Sequence, residues 1–170
     1  MKNEVVLHSA SYLTPEGFGN SSSGSRQWPG EDGAPADPMD LAGISWSSLF
    51  DSPCPRFGRM DLLSRLGLMA VELLGVDFAA RSDDERRETG VALLTPTGSL
   101  STDLAFLRDI SPSTFVYTLP SSVVGEMCIR HRLQGPQLCL TSGSSGGRTI
   151  LDEAAERIHL GEARAMLCLA

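Results

Sequence analysis

Gly135-Pro136-Gln137-Leu138-Cys139-Leu140-Thr141-Ser142-Gly143-Ser144-Ser145-Gly146 is the stretch that decides the fold of this chain. Gln137–Thr141 is a short apolar run of strand length, and residues 142–146 form a turn of small side chains. A helical pattern follows over 148–160. Ile150, Leu151, Ala154, Ala155 and Ile158 fall on one side of it, and Asp152, Glu153, Glu156 and Arg157 on the other. A strand that breaks through a tight turn into a helix exposes side chains beside unpaired helix N–H groups, a common place for a reactive group. Candidate functional residues are therefore sought first at Ser142, Gly143 and Ser144.

Working outward, Gly161 caps that helix and residues 163–170 read as a further strand. Upstream, a helix is expected over 120–133, with Val124, Met127, Cys128 and His131 on one side and Gly135 closing it. A short helix at 103–109 is broken by Ser111-Pro112, and Thr95-Pro96-Thr97-Gly98-Ser99 is a turn. Residues 89–94 are short and apolar like a buried parallel strand. Leu62, Leu63, Leu66, Met69, Ala70, Leu73 and Leu74 recur at helical spacing, with Gly75 as the stop. Residues 18–56 are rich in Ser, Gly, Pro and Asp without a sustained period. They are expected to form an irregular, flexible loop, pinned in places by Trp28, Trp46 and Phe50. A first strand is expected over 4–8, before the turn signal Thr14-Pro15-Glu16-Gly17. Strands alternating with helices at these lengths predict an α/β fold, a mainly parallel sheet with flanking helices, in one domain over 1–170.

The central stretch resembles the heart of the β-ketoacyl synthases of the thiolase superfamily. There a Gly-Pro precedes the strand, and the strand ends in Thr-Ala-Cys-Ser-Ser-Gly or close to it. Laid on without gaps, Thr141, Ser144, Ser145 and Gly146 match, and Gly143 stands where that family has its cysteine. Thr14-Pro15-Glu16-Gly17 is similar to the family's opening Thr-Pro-x-Gly element, and Arg87-Glu88-Thr89-Gly90-Val91 to its Arg-x-Gly-Val strand. Ile158-His159-Leu160-Gly161 is similar to the Ile-x-x-Gly ending of the nucleophile helix. The resemblance covers most of the chain and implies the N-terminal half of a thiolase-like fold.

Composition narrows the partners. A net charge of −7 and scattered basic residues, with Arg86-Arg87 the sole adjacent pair, argue against nucleic acid. No apolar run approaches the length of a membrane span, and the N-terminus lacks a signal-peptide pattern, so a cytoplasmic protein is expected. Cys54, Cys128, Cys139 and Cys168 are widely spaced without a C-x-x-C pair. Neither a zinc site nor a disulfide framework is suggested, and no cofactor is expected. Cys128 and His131 stand at i,i+3, but two ligands without a third make core packing the better reading.

The chemistry implied by the resemblance needs a cysteine thiolate to hold an acyl chain and two histidines from a C-terminal half. Gly143 has no side chain, and His8, His131 and His159 fall in a strand, on a helix face and near a helix end. Ser142 or Ser144 could serve an acyl hydrolase or transferase, yet no nearby His–Asp pairing offers a base, and a Ser/Gly turn that lets the helix approach the sheet is the plainer reading. The expectation is therefore a non-catalytic, chain-length-factor-like subunit. It would pair with a complete β-ketoacyl synthase in polyketide, aryl-polyene or fatty-acid biosynthesis and meet acyl carrier protein through that partner. A serine hydrolase or transferase, or a fragment without function, stand as alternatives. Val124, Met127, Cys128, Leu138 and Leu140 are expected to form the partner interface, because an uncharged edge strand invites pairing with another chain.

Overall fold

The computed structural model describes residues 4–14, 17–26, 52–141 and 146–170. Strands β1 (Ser11–Thr14), β2 (Gly17–Asn20) and β3 (Gly24–Arg26) come first. A short 3-10 helix, Phe57–Arg59, precedes α1 (Leu62–Leu73) and α2 (Asp83–Arg87). Then follow β4 (Thr89–Thr95), α3 (Leu100–Arg108), α4 (Pro112–Phe115), α5 (Ser121–His131), β5 (Gln137–Thr141), α6 (Gly146–His159) and β6 (Ala165–Leu169). Within the span 1–170 the chain divides into two compact units. One comprises Met1–Val6, Met60–Leu68 and Asp77–Ala170, the other Leu7–Arg59 and Met69–Val76.

The larger unit is built on a parallel sheet of order β5-β4-β6. Its central strand is buried from Gly90 to Thr95, which explains why that run is continuously apolar rather than alternating. Val91 pairs with Gln137 on one side and Leu167 on the other, and Thr95 stands beside Thr141. On one face Ala92 and Leu94 pack with Ile150 of α6, joined by Leu138, Leu140, Met166 and Cys168. On the opposite face Gly67 of α1 lies against Val123 and Met127 of α5 and Leu169 of β6, so close that a Cβ there would meet Val123 at 3.0 Å. Helices thus cover both faces of a parallel sheet, an α/β arrangement as the sequence predicts. Each aliphatic side chain fully buried this way contributes about 1.5–3 kcal/mol.

The Gly-Pro of the opening stretch has a structural duty. The Gly135 N–H donates to the Thr89 carbonyl at 3.1 Å, and the Val91 N–H to the Pro136 carbonyl at 2.9 Å. A Cβ on Gly135 would come within 2.5 Å of Thr89 backbone, and one on Gly90 within 2.6 Å of the Pro136 carbonyl. Two backbones cross here with no room for side chains. The expectation that Gly135 closes α5 is therefore corrected. That helix ends at Arg132, in the left-handed conformation at φ 56°, and Gly135 serves the crossing instead. Gly75 and Gly161, both at positive φ, end α1 and α6 as expected. Helix α2 opens on a capping box: the Ser82 hydroxyl accepts the Glu85 N–H at 3.2 Å while the Glu85 carboxylate accepts the Ser82 N–H at 2.9 Å.

The smaller unit carries an antiparallel sheet of order β1-β2-β3. The Asn20 side-chain carbonyl accepts the Ser22 and Ser23 N–H groups, and Gly24 at φ 73° completes the turn into β3. The Ser11 hydroxyl donates to the Ala70 carbonyl and the Asn20 amide to the Leu73 carbonyl, both at 2.6 Å. Two expectations are corrected here. Residues 4–8 form no strand and are exposed, since no described strand pairs with them and strand propensity alone does not make a sheet. Residues 18–20 and 24–26, placed in the irregular loop 18–56, are strands: β2 pairs antiparallel with β1, Thr14 opposite Gly17, and the turn Asn20–Gly24 returns the chain as β3. Pro15 and Glu16 themselves, and Trp28, Trp46 and Phe50, lie outside the described residues.

Candidate functional site

The C-terminal ends of β4 and β5 lie side by side, with Thr95 opposite Thr141. Parallel α/β sheets place ligands beyond such strand ends. Thr95 is buried, and its hydroxyl oxygen accepts the Gly98 N–H at 3.1 Å, tightening the turn that leads into α3. Thr141 is exposed and ends β5, and α6 opens at Gly146. Strand and helix follow each other as read from the sequence, and the residues between them, Ser142, Gly143 and Ser144 among them, lie outside the described residues. The positive end of the fourteen-residue α6 carries no acidic side chain in its first turn. Arg148 pairs with Asp152 at 3.5 Å, but both are exposed and the pair contributes little.

The thiols around this point are not activated. Burial pushes the half-buried Cys128 and Cys168 thiols above their ordinary range, and partial desolvation does the same for Cys139, whose residue is otherwise exposed, so all three are protonated at neutral pH and poor nucleophiles. Cys139, two residues before Thr141, alternates with Leu138 and Leu140 and turns to the other face of the sheet. The histidines are far apart in sequence and none shares an element with another. His8 is exposed in a segment that is not a strand, which corrects its expected place, and His159 is exposed at the last position of α6. His131 ends α5 with its ring 4.6 Å from that of Phe78. Burial, with Arg130 adding to it, holds the His131 imidazole down to about 4, so it is neutral at pH 7. Among the described residues no three His, Cys, Asp or Glu side chains converge on a metal site, and Cys128 and His131 gain no third ligand.

The five residues expected at a partner interface divide. Val124 and Met127 are 2% and 0% exposed, part of the chain's own core, and offer no surface. Leu138 and Leu140 are half-buried against Ala92, Leu94 and Ile150, and Cys128 is half-buried on α5. The correction has a clear origin. Helical spacing identifies an apolar face but not what covers it, and here α1 reaches that face of α5 through Gly67. The edge position of β5 is as expected: it pairs with β4 and with no other described strand. Sequence reading missed an apolar stripe on α3, where Leu100, Leu104 and Leu107 follow i,i+4,i+7 spacing yet face water. It also missed the capping box of α2, for which Ser82-x-x-Glu85 was the available signal.

Comparison with known proteins bears on the whole arrangement. The family described as Beta-ketoacyl synthase, N-terminal domain, matches residues 42–170. Among solved structures, the ishigamide ketosynthase/chain length factor superposes with a TM-score of 0.58 at 28% identity, over 71% of this chain and 36% of that one. A β-ketoacyl synthase from Burkholderia phymatum STM815 superposes with a TM-score of 0.53 at 20% identity, over 66% of this chain and 30% of its own, a likeness of fold. The chain thus spans about a third of the length of each. No curated protein matches it. Among the described residues no helix is long and apolar enough to cross a membrane.

Proposed function

The chain belongs to the β-ketoacyl synthase family, whose N-terminal domain it carries over residues 42–170, and we propose that it is a non-catalytic, chain-length-factor-like subunit paired with a complete β-ketoacyl synthase. The observation that carries this reading is Gly143 at the cysteine position of the family's strand–turn–helix stretch. Condensation in this family begins with an acyl group held as a thioester, and a glycine cannot form one. The thiol nearest in sequence, Cys139, is held protonated and turned to the other face of the sheet, which favours the same reading. The likeness to a ketosynthase/chain length factor supports the choice of a pairing subunit over a fragment without function. The pathway proposed is polyketide, aryl-polyene or fatty-acid synthesis. Acyl carrier protein reaches the pair through the catalytic partner.

The test is co-expression with a complete, cysteine-bearing β-ketoacyl synthase from the same genome. A stable heterocomplex is expected, with condensing activity that disappears when the partner's cysteine is removed and survives Ser142→Ala and Ser144→Ala in this chain. Activity lost with either serine would transfer the chemistry to this chain and overturn the proposal. Gly143→Cys checks the alignment itself. Three residues before the positive end of α6 in sequence, a thiol at the family's nucleophile position should alkylate about tenfold faster than Cys128 or Cys168, read by mass spectrometry after timed iodoacetamide treatment. A slow introduced thiol would mean that Gly143 does not occupy the nucleophile position.

A further inference from the structure

We propose that the hydroxyls of Ser64 in α1 and Ser99 at the head of α3 hold one buried water molecule beside the Asp61 carboxylate, a hydration site that fastens the first turn of α3 to α1. The two serines are 0% and 4% exposed, and among the described residues neither Oγ meets a hydrogen-bond partner. A hydroxyl taken out of water and left unpaired is costly enough that native proteins satisfy nearly all of them, by protein groups or by ordered water. The reading is independent of the pairing proposed above.

Asp61 brings the two serines to one place. One of its carboxylate oxygens accepts the Ser64 N–H at 3.0 Å, capping α1, and the other accepts the Thr102 hydroxyl of α3 at 2.9 Å. Helix side chains lean toward the N-terminus, so Ser64, in the first turn of α1, is directed back toward that carboxylate. Ser99 stands three residues before Thr102, and its carbonyl accepts the Asp103 N–H at 2.9 Å, which puts it one turn away on the same side of α3. Its side chain does not cap the helix. The water accepts from one serine hydroxyl, donates to the other, and gives its second proton to an Asp61 oxygen, about three hydrogen bonds as is usual for a buried water. Charge favours a neutral guest. The positive ends of α1 and α3 both face Asp61 and oppose a cation, while the carboxylate itself opposes an anion. The site also steadies the segment leaving β4. The Thr95–Gly98 bond holds one side of that turn and the water holds the other, next to the strand end that frames the candidate site.

A double-mutant cycle on the full chain tests whether one water serves both hydroxyls, with the unfolding equilibrium as the readout. Ser64→Ala and Ser99→Ala should each raise the unfolding constant about fivefold, because each breaks the bridge and leaves the other hydroxyl buried without it. The double variant should be no worse than either single one, where independent effects would multiply to about 25-fold. Single variants that stabilise the chain would mean hydroxyls with no partner at all, and effects that multiply would mean separate partners; either overturns the proposal. A crystal structure of the wild type should show one water within hydrogen-bond distance of both Oγ atoms. Direct bonds from the two serines to protein groups would overturn the site even where the variants prove too unstable to measure. Stability that rises when Na⁺ replaces K⁺ at fixed ionic strength would put a cation there, and the water reading would be wrong.

Discussion

Gly90 and Gly135 are forty-five positions apart in sequence, yet they mark one crossing of two backbones at the start of the parallel sheet. Gly135→Ala should cost about 2–4 kcal/mol, because the methyl group meets backbone rather than a movable side chain, and chemical denaturation would measure it. Gly90→Ala should be comparable. An unchanged midpoint in both would remove the crossing from the list of stabilising features. His131 carries a pH signature. Its folded value of about 4 lies below the ordinary 6.5, so the unfolded chain binds the extra proton between those limits. Stability is then complete above about pH 6.5 and falls as the pH drops toward 4, by on the order of 2 kcal/mol. A His131→Gln variant should flatten that part of the stability curve; one that falls as steeply as wild type would place the titrating group elsewhere.

At the level of elements, period and punctuation carried much of the reading. Strand β5 runs over the expected Gln137–Thr141, and α6 and β6 follow within two residues of their expected starts, because an apolar run, a glycine turn and a 3.6-residue repeat are each local signals. Which faces are covered was not legible. Val124 and Met127 went inward and the leucines of α3 outward, since coverage depends on contacts between segments far apart in sequence. Of the candidate site, strand β5 and helix α6 on either side of it were legible, a pattern of residue types needing no tertiary information, while Ser142, Gly143 and Ser144 lie outside the described residues. The packing of Leu138 changes what its replacement does. Leu138→Lys sets a charge against Ala92, Leu94 and Ile150, and should destabilise the isolated chain by about 2–4 kcal/mol, visible as a lowered thermal midpoint without any partner present. A lost complex in that variant would therefore report on folding as well as on contact. An unshifted midpoint would mean that this face of β5 is free after all.

Across the whole molecule, the two compact units differ in how they are held. The parallel sheet is closed by helices on both faces, whereas the antiparallel strands combine the buried Phe18 of β2 with polar ties such as Asn20, whose side chain serves both the β2–β3 turn and the Leu73 carbonyl. Asn20→Ala should speed hydrogen exchange in β2 and β3 and leave the amides of β4 protected, since local opening follows local contacts. Equal acceleration in both sheets would mean that they open as one. The uncovered leucines of α3 carry a consequence for the living cell. A polypeptide that reaches its native state with such a face still wet resembles, to chaperones and proteases, one that has not finished folding. Expressed alone in quantity, the chain should precipitate or be cleared, and Leu107→Ser should raise its soluble yield; an unchanged yield would mean that this face is no liability.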